Sequence, residues 1–244
     1  MSDTIIICPV FNERSTLGTF MSRLSRSTGM DILFVDDGST DESTEIIEGN
    51  AERIGGRVHL ICHPTRRGYG AALISGFQAA LRHGYRRVIT LDTDLQHRPE
   101  DIHSFEKALE YHEVVLGTRY SDACRISSIP RSRYLINRYI SGMLRRDFSA
   151  CFSDPFCGFR GYRRSFLRRI NLCEQSYGIC LELLLEIIRI GTEYGEIPVD
   201  MIYLDDTRNF MDGLDDPLKR LDYYRGVIRR SMGNTEERRV AVHR

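Results

Sequence analysis

The chain has 244 residues, of which 41% are hydrophobic, and its 34 basic and 34 acidic side chains give a formal net charge of zero. This hydrophobic content suffices for a buried core and excludes a disordered or fibrous protein, while the balanced charge argues against a general nucleic-acid-binding protein. No apolar segment approaches the roughly 18–20 residues that cross a bilayer or has the features of a secretory leader, so we expect a cytoplasmic protein.

The first 120 residues alternate short apolar segments with helical patterns, and a polar turn follows each apolar segment. The predicted strands span residues 4–10, 31–35, 57–62, 87–91 and 113–116, and the predicted helices span 13–26, 39–54, 71–83 and 99–111. Ser39 and Glu42 have the spacing of a capping box, which predicts that the second helix begins at Ser39. The alternation predicts an α/β fold with a mostly parallel sheet covered by helices on both faces.

The pattern changes after residue 120. It predicts a basic helix at 130–147, an extended segment at 158–163, an apolar helix at 179–190, a strand at 196–204 and a last helix that ends near 230. Pro198, near the start of that strand, indicates a sheet edge because proline cannot donate to a neighbouring strand. Residues 231–244 are predicted to be a flexible tail, and residues 1–230 a single domain.

Two aspartates directly follow the predicted strand at 87–91. Alternate residues of an extended chain face the same side, so the carboxylates of Asp92 and Asp94 can point to one place at the end of the strand. Two carboxylates in this arrangement suit Mg²⁺ or Mn²⁺ that also holds a diphosphate. Capping of the following helix or turn fits the same spacing equally well.

In a sheet of this kind, ligands bind beyond the carboxyl ends of the strands, and this rule also selects the turns at 9–13 and 36–41. A short carboxylate in the second turn can accept a hydrogen bond from a ribose or a base, although a turn with a helix cap is the alternative. The turn at 66–70 could contact a nucleotide through its backbone N–H groups or through Arg66 or Arg67, and an ordinary connection between strand and helix is equally compatible with it. No Gly-x-Gly-x-x-Gly motif follows a predicted strand, which disfavours a dinucleotide-binding enzyme.

Five motifs in chain order resemble the family 2 glycosyltransferases with the GT-A fold. They are Ile-Ile-Ile-Cys-Pro-Val-Phe-Asn-Glu at 5–13, Val-Asp-Asp-Gly-Ser-Thr-Asp at 35–41, Asp-Thr-Asp-Leu-Gln-His at 92–97, Gly-Thr-Arg-Tyr at 117–120 and Asp-Pro-Phe-Cys-Gly-Phe-Arg at 154–160. The last two are similar to the dolichyl-phosphate mannose synthase and polyprenyl-phosphate glycosyltransferase branch. The resemblance covers residues 4–204 and implies a Rossmann-like sheet with a nucleotide-binding half at 1–97 and an acceptor half at 98–210.

The resemblance implies a donor site for a nucleotide sugar. The residues it assigns are Pro9, Phe11 and Glu13 to the nucleoside, Asp37 to the base or ribose, Asp92, Asp94 and Gln96 to the metal, and Arg119 to phosphate oxygens. The implied reaction is one displacement at the anomeric carbon, which inverts its configuration. The metal held by Asp94, together with Arg119, would stabilise the charge on the departing nucleoside diphosphate.

The acceptor side of the resemblance is less complete. Asp154 is the implied base if the nucleophile is a hydroxyl, whereas an ionised lipid phosphate needs no strong base and would leave Asp154 to orient Arg160 or nearby backbone. Arg160 and Glu182 are further implied substrate-binding residues, and Glu182 could equally be a surface acid on an apolar helix. Relatives commonly carry an arginine and then a Ser-Lys pair that grip the acceptor phosphate. This chain has Arg208 without that pair, and its next lysine is Lys219.

The sequence therefore predicts a metal-dependent, inverting glycosyltransferase that uses a GDP- or UDP-sugar as donor and a polyprenyl phosphate as acceptor. One alternative is a transferase that acts on a saccharide or another soluble hydroxyl compound. Another is a non-catalytic nucleotide-sugar-binding protein that serves a membrane partner.

The charge is unevenly distributed, because residues 125–169 contain eleven arginines and only two acids. The helix predicted at 130–147 combines arginines at seven-residue spacing with an adjacent apolar face. Such a helix suits the surface of an anionic bilayer, so we also expect peripheral association with the cytoplasmic face of a membrane. An ordinary helix with a core-packed apolar face and solvated arginines is the alternative.

Overall fold

A computed structural model describes residues 2–120, 130–200, 202 and 213–233. The strands in this part of the chain are β1 (Thr4–Val10), β2 (Asp31–Asp36), β3 (Val58–Cys62), β4 (Arg87–Thr90), β5 (Val114–Thr118), β6 (Arg160–Arg163) and β7 (Tyr194–Pro198). The α-helices are α1 (Arg14–Ser27), α2 (Ser43–Ala51), α3 (Tyr69–His83), α4 (Ile102–Ala108), α5 (Arg131–Phe148), α6 (Arg164–Leu167), α7 (Ile179–Ile190) and α8 (Pro217–Gly233).

The described strands form one sheet in the order β3-β2-β1-β4-β6-β5-β7. Strand β6 runs antiparallel to both of its neighbours, and the other pairs are parallel. The predicted α/β class with a mostly parallel sheet is therefore confirmed. The carboxyl ends of β1, β2 and β4 meet at one edge, which brings the three turns selected from the sequence together.

Helices cover both faces of the sheet and create two hydrophobic cores. All seven residues of β1 are buried, and their side chains alternate between the cores: Ile5 and Ile7 belong to one, Ile6 and Cys8 to the other. The first core is closed by α3, α5, α6, α7 and α8, and the second by α1, α2 and α4. A strand buried on both sides has to be continuously apolar, and this explains why β1 is readable from the sequence.

The predicted start of the second helix is wrong. Helix α2 begins at Ser43, and the preceding Glu42 is in the left-handed region at φ 69° without a side-chain cap. The Ser39 hydroxyl instead accepts a hydrogen bond from the backbone N–H of Asn12, at 3.0 Å. The loop after β1 therefore occupies the hydroxyl oxygen that a capping box at Ser39 would use.

Further boundaries also differ from the prediction. The helix predicted at 99–111 is a 3₁₀ turn at Pro99–Asp101 followed by α4. Strand β7 ends at Pro198, which was expected near its start, but β7 does lie at the sheet edge, with β5 as its one described neighbour. Residues 201 and 203–204 of the predicted strand lie outside the described residues, as do 234–244 of the predicted tail, whereas α8 continues to Gly233.

Helix α5 turns its apolar side inward, as in the core-packed alternative. Ile136, Ile140 and Leu144 are buried, whereas Leu135 and Tyr139 remain 54% and 42% exposed. The exposed arginines of the helix include Arg131, Arg138 and Arg145. Among the described residues, no helix is both long and apolar enough to cross a bilayer.

Candidate active site

A cavity of about 570 Å³ opens at the carboxyl edge of the sheet. The residues predicted from the sequence that line it are Pro9, Phe11, Glu13, Asp37, Asp92, Asp94, Gln96 and Arg119. Asp154, Arg160 and Glu182 do not line it, and Arg208 lies outside the described residues. The cavity also takes residues from α5 and α8, so both predicted halves of the chain contribute to it.

The loops after β1 and β2 are bonded to each other at one end of the cavity. The Asn12 side chain accepts a hydrogen bond from the N–H of Thr40, and the N–H of Glu13 donates to the Ser43 hydroxyl. The guanidinium of Arg66 lies 5.1 Å from the centre of the Phe11 ring, which is a cation–π contact. This end therefore presents an aromatic ring and a cation on a loop framework held by hydrogen bonds.

Asp37 is buried at the same end and organises the loop that leads into α3. Its Oδ1 accepts from the N–H of Arg67 at 2.9 Å and lies 2.7 Å from Nδ1 of His63, while Oδ2 accepts from the N–H of Gly68 at 2.6 Å. Gly38, at φ 75°, packs directly on this loop, because a Cβ there would lie 2.7 Å from the backbone nitrogen of Arg66. The carboxylate predicted to bind a nucleoside is thus also a structural anchor.

Asp92 and Asp94 follow β4 as predicted and both line the cavity. The Tyr69 hydroxyl donates to Asp92 Oδ1 at 2.9 Å, and Gly158 packs against the carboxylate, because a Cβ there would displace Asp92 Oδ2. Asp94 Oδ1 accepts from the N–H of Gln96 at 3.0 Å across a tight turn. Both carboxylates are therefore held in place by neighbouring groups.

The donor set fits a hard divalent cation. In the part of the chain that the structure describes, no cluster of three or more His, Cys, Asp or Glu side chains could hold a metal by itself. Mg²⁺ usually takes one or two carboxylates and completes its shell with water and substrate phosphates. Asp92 and Asp94, with the amide oxygen of Gln96, match that incomplete, oxygen-only set.

Arg119, directly after β5, is fixed by a buried partner. Its Nε and Nη2 lie 2.5 Å and 2.8 Å from the two oxygens of Asp154, whose side chain is fully buried. Asn137 of α5 also donates to Asp154 Oδ1, at 2.8 Å. Burial alone would raise the pKa of Asp154, but the charge and hydrogen bonds of Arg119 outweigh it and lower that pKa. These contacts favour the orienting role for Asp154 over that of a base, with Arg119 rather than Arg160 as its partner.

Arg160 and Glu182, which the resemblance assigns to substrate binding, form hydrogen bonds with backbone groups instead. The buried guanidinium of Arg160 donates to the carbonyl oxygens of Pro155, Cys157 and Cys180, each at 2.7 Å. The buried carboxylate of Glu182 accepts from the N–H groups at 173 and 174. Both residues therefore stabilise loops behind the cavity, and the described contacts give them no direct role in substrate binding.

The sequence prediction missed a cationic wall where α5 and α8 line the cavity. Arg133 of α5 and Arg220 of α8 both line it, beside Tyr224. Arg220 is buried and donates to the carbonyl of Leu214 at 3.0 Å. Burial lowers the pKa of Arg220, and the positive charge of Arg133 lowers it further. The arginine-rich composition of the segment was visible in the sequence, but not which arginines face the cavity.

Comparisons with known proteins agree with this geometry. Residues 5–170 match the family model described as Glycosyl transferase family 2. The chain is 29% identical over 201 residues to polyprenol monophosphomannose synthase of Mycolicibacterium smegmatis, covering 80% of this chain and 76% of that protein. It is 30% identical over 192 residues to dolichol-phosphate mannosyltransferase of Saccharomyces cerevisiae, covering 75% of this chain and 70% of that protein.

A solved structure shows the same fold. It is glucosyl-3-phosphoglycerate synthase from Mycobacterium tuberculosis in complex with Mn²⁺, uridine diphosphate and glucosyl-3-phosphoglycerate. The TM-score is 0.70 at 18% identity, and the match covers 94% of this chain and 80% of that one. At this identity the likeness supports the fold alone, and it confirms the predicted GT-A architecture.

Proposed function

The chain belongs to glycosyl transferase family 2 and is a glycosyltransferase, and we propose that it moves a sugar from a nucleotide sugar to a polyprenyl phosphate. One observation carries the proposal: a single cavity is lined both by the carboxylates of Asp92 and Asp94 and by the guanidinium groups of Arg133 and Arg220, with Arg119 also lining it. A donor diphosphate with a divalent cation suits the carboxylates, and an anionic acceptor suits the arginines. The names of the two relatives point to the same acceptor class.

The donor is a GDP- or UDP-sugar with its nucleoside at the end formed by Phe11, Arg66 and Asp37. Asp92, Asp94 and Gln96 would hold Mg²⁺ or Mn²⁺, which supplies positive charge against the diphosphate when bound. Arg119 adds a positioned guanidinium on the same cavity wall. Preorganised charge of this kind stabilises a leaving diphosphate without reorganisation during the reaction.

The transfer is a single displacement at the anomeric carbon, so the configuration of that carbon inverts. A polyprenyl phosphate is already ionised near neutral pH and attacks without giving up a proton. This agrees with an Asp154 whose oxygens are occupied by Arg119 and Asn137. The acceptor therefore requires positively charged side chains that bind its phosphate more than it requires a general base.

We assign the binding of the acceptor phosphate to Arg133 and Arg220, and we expect Arg208 to contribute to it. The ring of Phe156 stacks on that of Tyr224 with centroids 4.4 Å apart, and both line the cavity near Ile136. These apolar groups can contact the first isoprene units while the arginines hold the phosphate. The site thus combines the two chemistries of a lipid phosphate.

The outer face of α5 and α8 is proposed to dock on an anionic bilayer. It exposes Leu135, Tyr139 and Leu218, of which Leu218 is 73% exposed, and Arg225 of α8 lies over the Tyr139 ring at 5.0 Å. Exposed arginines flank these side chains on α5. Since both helices also contribute cavity residues, a membrane on this face would lie close to the acceptor end.

The test is a transfer assay with the purified chain, Mn²⁺, labelled GDP- and UDP-sugars and undecaprenyl or dolichyl phosphate. We expect lipid-extractable label that disappears when the divalent ion is chelated, and an inverted anomeric linkage in the product. Label transferred only to soluble glycosides would identify the hydroxyl-acceptor alternative. Nucleotide binding without turnover on any acceptor would identify a non-catalytic subunit.

A further inference from the structure

A chain of three polar side chains, two of them buried, lies behind the nucleoside end of the cavity. Nδ1 of His63 is 2.7 Å from Asp37 Oδ1, and Nε2 of the same ring is 2.9 Å from the Ser75 hydroxyl. The side chains of His63 and Asp37 are only 5% and 4% exposed. A carboxylate accepts hydrogen bonds, so the ring nitrogen that faces it, Nδ1, is the donor, and Nε2 is paired with the Ser75 hydroxyl.

The order Asp-His-Ser is that of a nucleophilic triad, but the cavity lies at the opposite end. Asp37 lines the cavity, whereas Ser75, in the second turn of α3, does not. A nucleophilic hydroxyl has to reach the substrate, and here the group at the cavity is the carboxylate. The chain of hydrogen bonds therefore serves Asp37.

The backbone fixes the position of the imidazole. His63 directly follows β3, and its N–H donates to the carbonyl of Asp36 at 2.8 Å, which continues the pairing between β2 and β3. The ring is thus held from the sheet on one side and from α3 on the other. A donor held in this way restricts the carboxylate that accepts from it.

The two carboxylate oxygens of Asp37 accept different numbers of hydrogen bonds from the described residues. Oδ1 accepts from His63 and from the N–H of Arg67, while Oδ2 has one described donor, the N–H of Gly68. Each carboxylate oxygen offers about two acceptor directions, so Oδ1 is filled and Oδ2 has room for one more donor. We propose that His63 is a positioning residue: by fixing Oδ1, it presents Oδ2 to an N–H of the base or a hydroxyl of the ribose in a nucleoside diphosphate. This inference rests on the proposed function, which puts the donor nucleoside at this end.

Two substitutions at one position separate the hydrogen bond from packing. His63→Asn puts an amide N–H near the place of Nδ1, whereas His63→Leu keeps an apolar group of similar bulk without a donor. Calorimetry with UDP and with GDP, each with Mn²⁺, would give the affinity of whichever nucleotide the wild type binds. Pyrophosphate with Mn²⁺ is the matched probe that lacks the nucleoside.

We expect His63→Leu to weaken nucleoside diphosphate binding about tenfold, as for loss of one charge-assisted hydrogen bond. The same variant should bind pyrophosphate as the wild type does, and His63→Asn should stay within about threefold for both probes. Should His63→Leu fail to fold, Ser75→Ala removes the far end of the chain and is expected to weaken nucleotide binding by about threefold. Nitrogen NMR of the His63 ring should find the proton on Nδ1.

Several results would overturn the inference. They are unchanged nucleotide affinity in His63→Leu, equal weakening in His63→Asn, equal loss of pyrophosphate binding, and an Nδ1 that carries no proton. A wild type that binds neither UDP nor GDP would refute the proposed donor class and this inference with it. A wild type that binds and transfers, with His63→Leu unchanged, would refute the inference alone.

Discussion

Arg119 and Asp154 meet at two points, with Nε and Nη2 of the guanidinium 2.5 Å and 2.8 Å from the two carboxylate oxygens. Arg119 lines the cavity, and Asp154 lies behind it with a fully buried side chain. A two-point pair fixes the orientation of the guanidinium as well as its position. The cation proposed to meet the leaving diphosphate is therefore set before substrate arrives.

Replacing Asp154 with Asn should damage both stability and turnover. The change leaves the mostly buried Arg119 without its counter-charge, and breaking a buried pair from one side costs about 3–5 kcal/mol of unfolding free energy. Asparagine offers one neutral acceptor oxygen in place of the two charged oxygens of the carboxylate, so Arg119 should also lose its orientation. The kcat should therefore fall by roughly tenfold or more. Urea unfolding and initial-rate kinetics measure the two effects.

The chain offers a matched control for this substitution. Arg146 and Asp147 make the same two-point contact, at 2.6 Å and 2.9 Å, but on the surface of α5. Asp147→Asn should leave stability and turnover close to wild type, because an exposed pair is screened by solvent. Equal effects of the two substitutions would contradict the positioning role of Asp154.

The same pair predicts a pH dependence of stability. Burial opposes ionisation of Asp154, but Arg119 outweighs it, so the pKa of Asp154 in the folded state is below its ordinary value. The stabilisation is therefore complete above the unfolded-state pKa of about 3.9 and is lost as the pH falls through the lower folded-state pKa. The difference in unfolding free energy between wild type and Asp154→Asn should be smaller at about pH 3.5 than at about pH 6. A difference that stays constant over this interval would show that the carboxylate charge does not stabilise the fold.

Asp94→Ala tests the metal assignment. Removing one of two carboxylates should lower metal-dependent turnover by about 10²–10³-fold, because the remaining ligands hold the cation poorly. The melting temperature should barely change, since Asp94 lies on a turn at the edge of the sheet. Rates measured across a Mn²⁺ titration check this, with exposed Glu110→Ala as a control. Wild-type activity in Asp94→Ala would refute the assignment.

Much of the fold could be predicted because its signals are local. Helix α7 has the predicted bounds, since glycines at 178 and 191 flank a continuous apolar segment. The start of α2 could not be predicted from Ser39, because Asn12 from a distant loop takes that hydroxyl. Tertiary contacts of this kind leave no periodic trace in the sequence.

The same distinction between local signals and tertiary packing separates the site residues that could be predicted from those that could not. Phe11, Asp37 and Asp92 follow strands, and the rule that ligands bind at the carboxyl ends places such residues in the cavity. Arg133 and Arg220 lie on helices, where the side that turns inward is decided by packing rather than by composition. The positive charge of Arg160 likewise does not predict substrate binding, because its guanidinium donates to three backbone carbonyls.

Arg220→Met should mainly impair use of the acceptor. The substitution keeps an apolar stem in the buried position and removes the charge proposed to hold the lipid phosphate. We expect the KM for polyprenyl phosphate to rise about tenfold, with the KM for the nucleotide sugar little changed. Exposed Arg229→Met on the same helix is the control. A change confined to the donor KM would mean that Arg220 contacts the donor instead.

Arg208→Ala, outside the described residues, is expected to act on the acceptor in the same way. If Arg208 and Arg220 hold one phosphate, the double variant should show less than the product of the two single effects. Steady-state kinetics of the two single variants and the double variant at saturating donor measure this coupling. Effects that multiply fully would argue for separate sites.

Charge reversal on α5 tests the proposed docking face. Arg131, Arg138 and Arg145 are exposed on this helix, and each arginine near an anionic surface contributes about 1 kcal/mol to binding. Replacing all three with Glu should lower partitioning onto phosphatidylglycerol vesicles at low salt by at least about 100-fold in sedimentation. The control reverses Arg82, Arg86 and Arg168, which are exposed near the amino ends of the parallel strands, opposite the cavity. Both triple variants change the net charge equally, so a docking face predicts loss in the first alone, whereas equal losses would reduce the association to net charge.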